Sequence, residues 1–235
     1  MTIPVERPLG KARRVKTLTF VRHGQSVANA GGITVEHAEI QLSVLGQLQA
    51  QALAELLPDN PSQILVSEYA RAQSTAQPYG KRVGMTTKPH PLLHEFSAID
   101  PALLQGMNGE QRRPHADAYW SECDPEKRTG EKAEKFSEFD HRVASFLTEL
   151  NQFSDGTVLF GHGIWIGLMI WKLLGFSVVD SNSMKAFRRF QLGLPMPNCA
   201  VYRLMETEPG QWRAELDEVI KLAMSDVKQN LGSAE

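Results

Sequence analysis

Cysteine is scarce in this chain: Cys123 and Cys199 are the only two among 235 residues, and they stand far apart. That count supports no disulfide framework, and a reducing cytoplasm is the expected setting. A surplus of either charge is also missing. Twenty-five Lys and Arg face 27 Asp and Glu, for a formal net charge of -2. A protein that grips a phosphate backbone usually carries a broad basic surface, so nucleic acid is not an expected partner. Internal repeats, low-complexity linkers and the HExxH or paired-Asp patterns of metal hydrolases are absent. The opening MTIPVERPLGKARRVKT lacks the apolar core of a secretory signal and reads as a flexible arm, its KARRVK cluster solvated.

Long apolar runs are nearly absent too. The exception, VLFGHGIWIGLMIWKLLGF at 158–176, has the length of a membrane span. It is broken by Gly161, His162 and Gly163 and carries Lys172. A span with both His and Lys would be costly in lipid, so a buried strand, a glycine turn and a buried helix are expected instead, and no membrane.

What is present is an alternation of short apolar runs and amphipathic stretches. TLTFV (17–21), ILVS (64–67) and TVLF (157–160) read as buried strands. Residues 43–58 read as a helix capped by Ser43 and stopped by Pro58, with Leu45, Leu48, Ala52 and Leu56 at helical spacing. EYARAQSTAQPYGKRVG reads as a second helix closed by glycine, with Pro78 a kink or early end. TKPHPLLHEF is an irregular connection, and 97–135 a helix-prone, partly mobile cap broken at Gly106, Gly109 and Pro114. Residues 134–152 place Phe136, Phe139, Val143, Phe146, Leu147 and Leu150 on one helix face. NCAVYRLM (198–205) and WRAELDEVI (212–220) read as strands around an EPGQ turn, with a loose tail after roughly Met224. The expected fold is one α/β domain over 1–235, with its core at about 16–222: a mostly parallel central sheet flanked by helices on both faces. An unpaired edge strand offers a surface for a homodimer.

In such sheets ligands bind beyond the carboxyl ends of the strands. Those junctions hold Arg22-His23-Gly24, then Ser67 and Arg71, then Gly161-His162-Gly163, with Leu93-His94-Glu95 after the proline-marked connection. One buried histidine is usually a core residue, and one arginine a surface ion pair. Two arginines, two histidines and a carboxylate at one edge are harder to explain without an anion to neutralise the cations. Guanidinium forks match phosphate oxygens, a neutral imidazole is a nucleophile, and a carboxylic acid protonates a leaving alkoxide. The set points to phosphoryl transfer without a metal or cofactor.

RHGQSVAN at 22–29 resembles the signature of the histidine phosphatase superfamily, the phosphoglycerate mutase-like fold. The resemblance continues in order through QLSVLGQLQAQAL, SEYARAQSTA, LHEF, VLFGHG and PNCAVYRL, and covers most of residues 16–205. It implies that fold, with the cap at 97–135 inserted. It implies His23 as the phosphorylated nucleophile, its Nδ1 donating to a backbone carbonyl. Arg22, Arg71 and His162 then complete the phosphate pocket, and Glu95 is the proton donor. Asn29 lies near the pocket, and Gln25 and Ser26 are candidate lining residues. The expected activity is that of a metal-independent phosphomonoester hydrolase of the histidine acid phosphatase type, acting on a small phosphorylated substrate.

The alternatives are a phosphoglycerate mutase-type phosphotransferase, a non-catalytic phosphoester binder, and a metal hydrolase built on His90, His94, Glu95, His115 and His162. The family's mutases carry a basic-aromatic stretch after the acid; Phe96-Ser97-Ala98-Ile99-Asp100 departs from it and favours a phosphatase. Arg112, Arg113 and His115 are the residues a mutase would recruit for extra positive charge. Phe96, Met107 and Trp120 are candidate walls for an apolar part of the substrate, although such residues more often pack the core.

Overall fold

The computed structural model describes residues 15–232, with side chains through 227. Six strands form one sheet: β1 (Thr17–Arg22), β2 (Gln63–Val66), β3 (Thr87–Pro89), β4 (Thr157–Gly161), β5 (Val201–Glu208) and β6 (Gln211–Leu216), in the spatial order β3-β2-β4-β1-β5-β6. The first four are mutually parallel; β5 runs antiparallel to β1, and β6 antiparallel to β5. Seven α-helices accompany them: α1 (Val44–Leu56), α2 (Ala70–Val83), α3 (Gly109–Glu122), α4 (Phe136–Glu149), α5 (Gly163–Leu173), α6 (Ser181–Gly193) and α7 (Glu218–Gly232).

The twofold period of the strands sorts their side chains between two cores. Leu18, Phe20, Leu65, Leu159 and Leu204 face a layer containing Tyr119 of α3, Phe136, Phe139 and Phe146 of α4, Trp165 of α5 and Phe187 of α6. Val21, Ile64, Val66, Val158 and Phe160 face Leu53 of α1, Ala72, Ala76 and Tyr79 of α2, and Ile220 and Met224 of α7. Each fully buried aromatic ring contributes roughly 1.5–3 kcal/mol, so the two layers set the sheet's position firmly. α5 is apolar nearly all round because it lies wholly inside; its one cation, Lys172, meets Asp140 of α4 at 2.7 Å. Among the described residues no helix is long and apolar enough to cross a membrane.

Register places the chemistry. Arg22 pairs with Gly161, and Val66 with Phe160, so β1, β4 and β2 end at one edge. His23, His162 and Ser67 are the next residues and emerge side by side. α1 closes on this edge through two glycines. A Cβ on Gly24 would stand 2.7 Å from the Gly46 carbonyl oxygen, and one on Gly46 only 1.9 Å from that of Gln25. Gly24 is thus needed for the approach of α1.

Five points differ from the expected elements. Residues 87–89 pair with β2 as a short strand inside the expected irregular connection. Pro78 and Pro114 break neither α2 nor α3, which run through them. Residues 177–197, to which no element was assigned from the sequence, contain α6, capped by Asp180 on the Ser183 amide. The last strand stops at Leu216, not 220: Asp217 accepts from the Ile220 amide and starts α7. The tail expected to be loose after Met224 is helix as far as Gly232, with Met224 itself buried. The arm up to residue 14, and residues 233–235, lie outside the described residues.

Gly46→Ala tests the closure of α1. A methyl at 1.9 Å from a carbonyl oxygen cannot be accommodated without moving α1 or the 23–26 turn. We expect a loss of at least about 2 kcal/mol in denaturant unfolding; a change within error would show that the turn is free to shift.

Candidate active site

His23 is almost completely buried, and its ring is held from both sides. Nδ1 lies 2.7 Å from the Gly24 carbonyl oxygen, and Arg71 Nε lies 3.2 Å from Nε2. A guanidinium only donates, so Nε2 must be the accepting nitrogen and Nδ1 the protonated one. The tautomer expected for this histidine therefore follows from its partners. Its backbone is pinned as well: its amide donates to Gly161, and its carbonyl accepts from the Cys199 amide and the Asn198 side chain. Thr75 of α2 accepts from the Gly24 amide. Burial, reinforced by Arg71 and Arg22, holds the His23 pKa well below the usual imidazole value, so the ring is neutral.

The two guanidiniums are fixed by backbone rather than by carboxylates. Arg71 Nη1 donates to the His37 carbonyl at 2.6 Å, and its guanidinium lies over the Tyr69 ring. Arg22 Nη1 donates to the Met196 carbonyl, while its buried Nε has no hydrogen-bond partner among the described residues. Gly163 makes room for this arginine; a Cβ there would stand 3.1 Å from Arg22 Nε.

His162 is fully buried, its ring centroid 5.2 Å from that of His23. Nε2 meets Ser67 Oγ at 2.8 Å. That hydroxyl also accepts from the Tyr69 amide. The other ring nitrogen, Nδ1, is buried without a partner among the described residues. Burial again keeps the ring neutral, its pKa well below the ordinary value.

Glu95 reaches the start of α5. Oε1 accepts from the Phe96 and Trp165 amides, and Oε2 from the Ile164 amide. Burial raises its pKa above the usual carboxylate value, against the opposing pull of these amides and of Arg71 and Arg22. Oε2, with one amide rather than two, has the freer lone pair for a proton.

Arg22, His23, Ser26, Asn29, Arg71 and Glu95 share one cleft of about 320 Å³. The family model described as histidine phosphatase superfamily (branch 1) matches residues 18–218. The chain belongs to this family. It is 31% identical over 163 residues to the adenosylcobalamin/alpha-ribazole phosphatase of Salmonella typhi, covering 67% of this chain and 79% of that one. It is 30% identical over 174 residues to the glucosyl-3-phosphoglycerate phosphatase of Mycolicibacterium vanbaalenii, covering 70% and 77%. The native structure of a mycobacterial glucosyl-3-phosphoglycerate phosphatase superposes with a TM-score of 0.63 at 25% identity, over 87% of this chain and 98% of that one. Family membership and phosphatase relatives support hydrolysis of a phosphomonoester.

Not every candidate faces the cleft of this family member. His162 stands behind His23 rather than in the wall. Gln25 turns away: its side chain accepts from Ser43 at the start of α1, so its role is structural and not lining. Ser26 and Asn29 line the cleft but are tied to each other, each amide donating to the other's side chain. Phe96 lines the cleft edge while its ring stacks on Phe139. Trp120 packs near Phe96 and Arg188 and lines nothing, and Met107 only packs against the core. His37, Ile40, Ile164, Gln191 and Met196 also line the cleft and were not picked out from the sequence. The capping pair Asp180 and Ser183, followed by Met184 and Phe187 at helical spacing, was the available signal for α6, which brings in Gln191. Among the described residues no three His, Cys, Asp or Glu side chains gather as metal ligands. His90 is instead paired with Glu149 at 3.0 Å.

Neutral buried imidazoles make stability depend on pH. The unfolded chain takes up protons near the ordinary value of 6.5, whereas folded His23 and His162 take them up only well below it. Their contribution is therefore complete above 6.5 and is lost as pH falls toward the folded values. His37, pushed down to about 4, adds a share in the same direction. Glu95 has the opposite sign, contributing most at low pH and losing it as pH rises through its raised pKa. Between pH 7 and 5.5 we expect unfolding free energy to fall by about 1 kcal/mol for each fully buried imidazole, or about 2 for the pair. Equal stability at the two pH values would contradict a neutral pair.

Proposed function

We propose that the chain is a metal-independent phosphomonoesterase acting through a phosphohistidine on His23. The observation that carries the reading is the Nε2 lone pair, available because Nδ1 is committed to the Gly24 carbonyl. Substrate phosphate accepts the Arg71 Nε–H hydrogen bond in place of Nε2 and enters between Arg71 and Arg22, with buried His162 behind His23. His23 Nε2 forms a bond to phosphorus as the bond to the leaving oxygen breaks, and Glu95 Oε2 gives that oxygen its proton. The Glu95 carboxylate then takes a proton from water, the water oxygen bonds to phosphorus, and the N–P bond breaks. Free inorganic phosphate leaves, with His23 neutral and Glu95 protonated again.

The two shifted groups favour the acid-phosphatase style of this chemistry. His23 stays unprotonated into mildly acidic pH, and Glu95 keeps its proton above the ordinary carboxylate range. A small phosphorylated molecule fits the cleft, in keeping with the phosphatases named as relatives. The two buried, unpaired cysteines support a cytoplasmic setting. A mutase reading gains little from Arg112, whose guanidinium is spent on Ala28, Gly32, Thr34 and Met107, or from exposed Arg113 and His115.

With excess chelator, wild type should hydrolyse p-nitrophenyl phosphate, and His23→Ala should lose at least about 1,000-fold. Glu95→Gln should lose about 100-fold on an alkyl phosphate but under about tenfold on p-nitrophenyl phosphate, whose leaving group needs no proton. On the alkyl substrate the wild-type rate should fall as pH rises through the Glu95 pKa, and the variant should lack that limb. Equal losses on both substrates would remove Glu95 as the acid.

A further inference from the structure

We propose that the cleft beyond the phosphate pocket takes an uncharged leaving group with one apolar face, and that the side-chain amide of Gln191 donates to a single hydrogen-bond acceptor on it. The inference deepens the phosphomonoesterase reading and rests on it. It names the class of alcohol whose phosphate is the substrate.

Beyond Arg22 and Arg71, no basic side chain lines the cleft. The apolar wall is Ile40, Phe96, Ile164 and Met196; of the uncharged polar members, Ser26 and Asn29 are tied to each other, which leaves His37 and Gln191. His37 is neutral at working pH because burial and Arg71 push it down to about 4. A carboxylate or second phosphate on the leaving group would lose its hydration here and meet no cation in return. The nearby cations are already committed. Arg112 donates to four oxygens of the 28–34 loop and the cap, and Arg142 is paired with Glu134 at 2.8 Å. Arg188 lies over the Trp120 ring at 4.3 Å and donates to Gln191 Oε1.

That last bond orients Gln191. Arginine has no acceptor, so the Gln191 atom facing Arg188 is the carbonyl oxygen and the other is the NH2. The packing of α6 on α5 fixes its stem: a Cβ on Gly167 would lie 3.4 Å from Gln191 Cγ. What the residue offers the cleft is a donor, and no group among the described residues accepts from it. A cleft of about 320 Å³ sits at the lower end of the ~300–1,000 Å³ range of ligand pockets, which suits a phosphate plus one ring-sized group.

The test uses three phosphonates of matched shape, benzylphosphonate and its 4-carbamoyl and 4-carboxy derivatives, with binding measured by titration calorimetry on the full chain at pH 7. Binding to wild type should be tightest for the carbamoyl compound, and at least about tenfold weaker for the carboxylate. Gln191→Leu should bring the carbamoyl-to-benzyl ratio close to one. Gln191→Glu keeps an acceptor for Arg188, guards against a packing defect, and should do the same. A carboxylate bound as tightly as the carboxamide, or a ratio unmoved in both variants, would overturn the inference. Turnover of the corresponding benzyl phosphates, compared with His23→Ala, is read separately: its absence would count against the reaction, while the order of affinities still decides the leaving-group class.

Discussion

The contact on which this site depends is the clamp on His23. One ring nitrogen is committed to the Gly24 carbonyl and the other faces the Arg71 guanidinium. Everything around it keeps that geometry. β1 and β4 deliver His23 and His162 in register, α2 supplies Arg71 and Thr75, and the Asn198–Cys199 turn holds the His23 carbonyl. A ring so placed stays neutral by burial and by two neighbouring cations, and only one tautomer suits both partners. The same guanidinium faces the lone pair of Nε2, so an anion that drew it away would also expose the nitrogen.

The glycines show how closely elements must approach for this clamp to exist. Gly24 and Gly46 let the start of α1 lie against the turn that carries His23, while Gly163 opens the space that Arg22 fills. In each case the absent side chain serves a contact between protein groups. The two arginines at this tightly packed sheet edge are held by carbonyl oxygens rather than by carboxylates. Carbonyl partners fix a guanidinium without cancelling its charge, which leaves both cations available to an anion.

Much of this was legible from residues alone because strand ends are short, apolar and followed by unusual polar groups. Arg22-His23-Gly24, Arg71, His162 and Glu95 stand out for that reason, and β1, β4 and the two-layer sheet follow from the same runs. α6 and α7 escaped. Residues 177–197 mix apolar positions with exposed charge, glycine and two prolines, and WRAEL alternates like a strand until Asp217 caps a helix. Since α6 carries Gln191, and the loop after it Met196, part of the cleft wall was hidden along with it. Gln25 misled for the opposite reason: it sits beside the histidine in sequence, but its side chain faces α1. Ser67 was visible as a strand-end residue, yet its bond to His162 depends on strand register, which sequence does not state.

Glu95 shows how opposing effects settle a role. Three backbone amides and two arginines favour its carboxylate, as the positive end of α5 does. Each charge-assisted bond is worth on the order of 1.5–3 kcal/mol, so together they would fix a permanent anion in open solvent. Burial outweighs them here and leaves the pKa above the ordinary value. The balance matters more than its sign. With the amides absent, a carboxyl so enclosed would hold its proton too tightly to release it to an alkoxide. In water it would be ionised and have none to give. Placing the group at the mouth of a buried helix sets burial, which favours the proton, against amides that favour its release, a balance suited to the proposed giving of a proton in one half of the reaction and taking one back in the other.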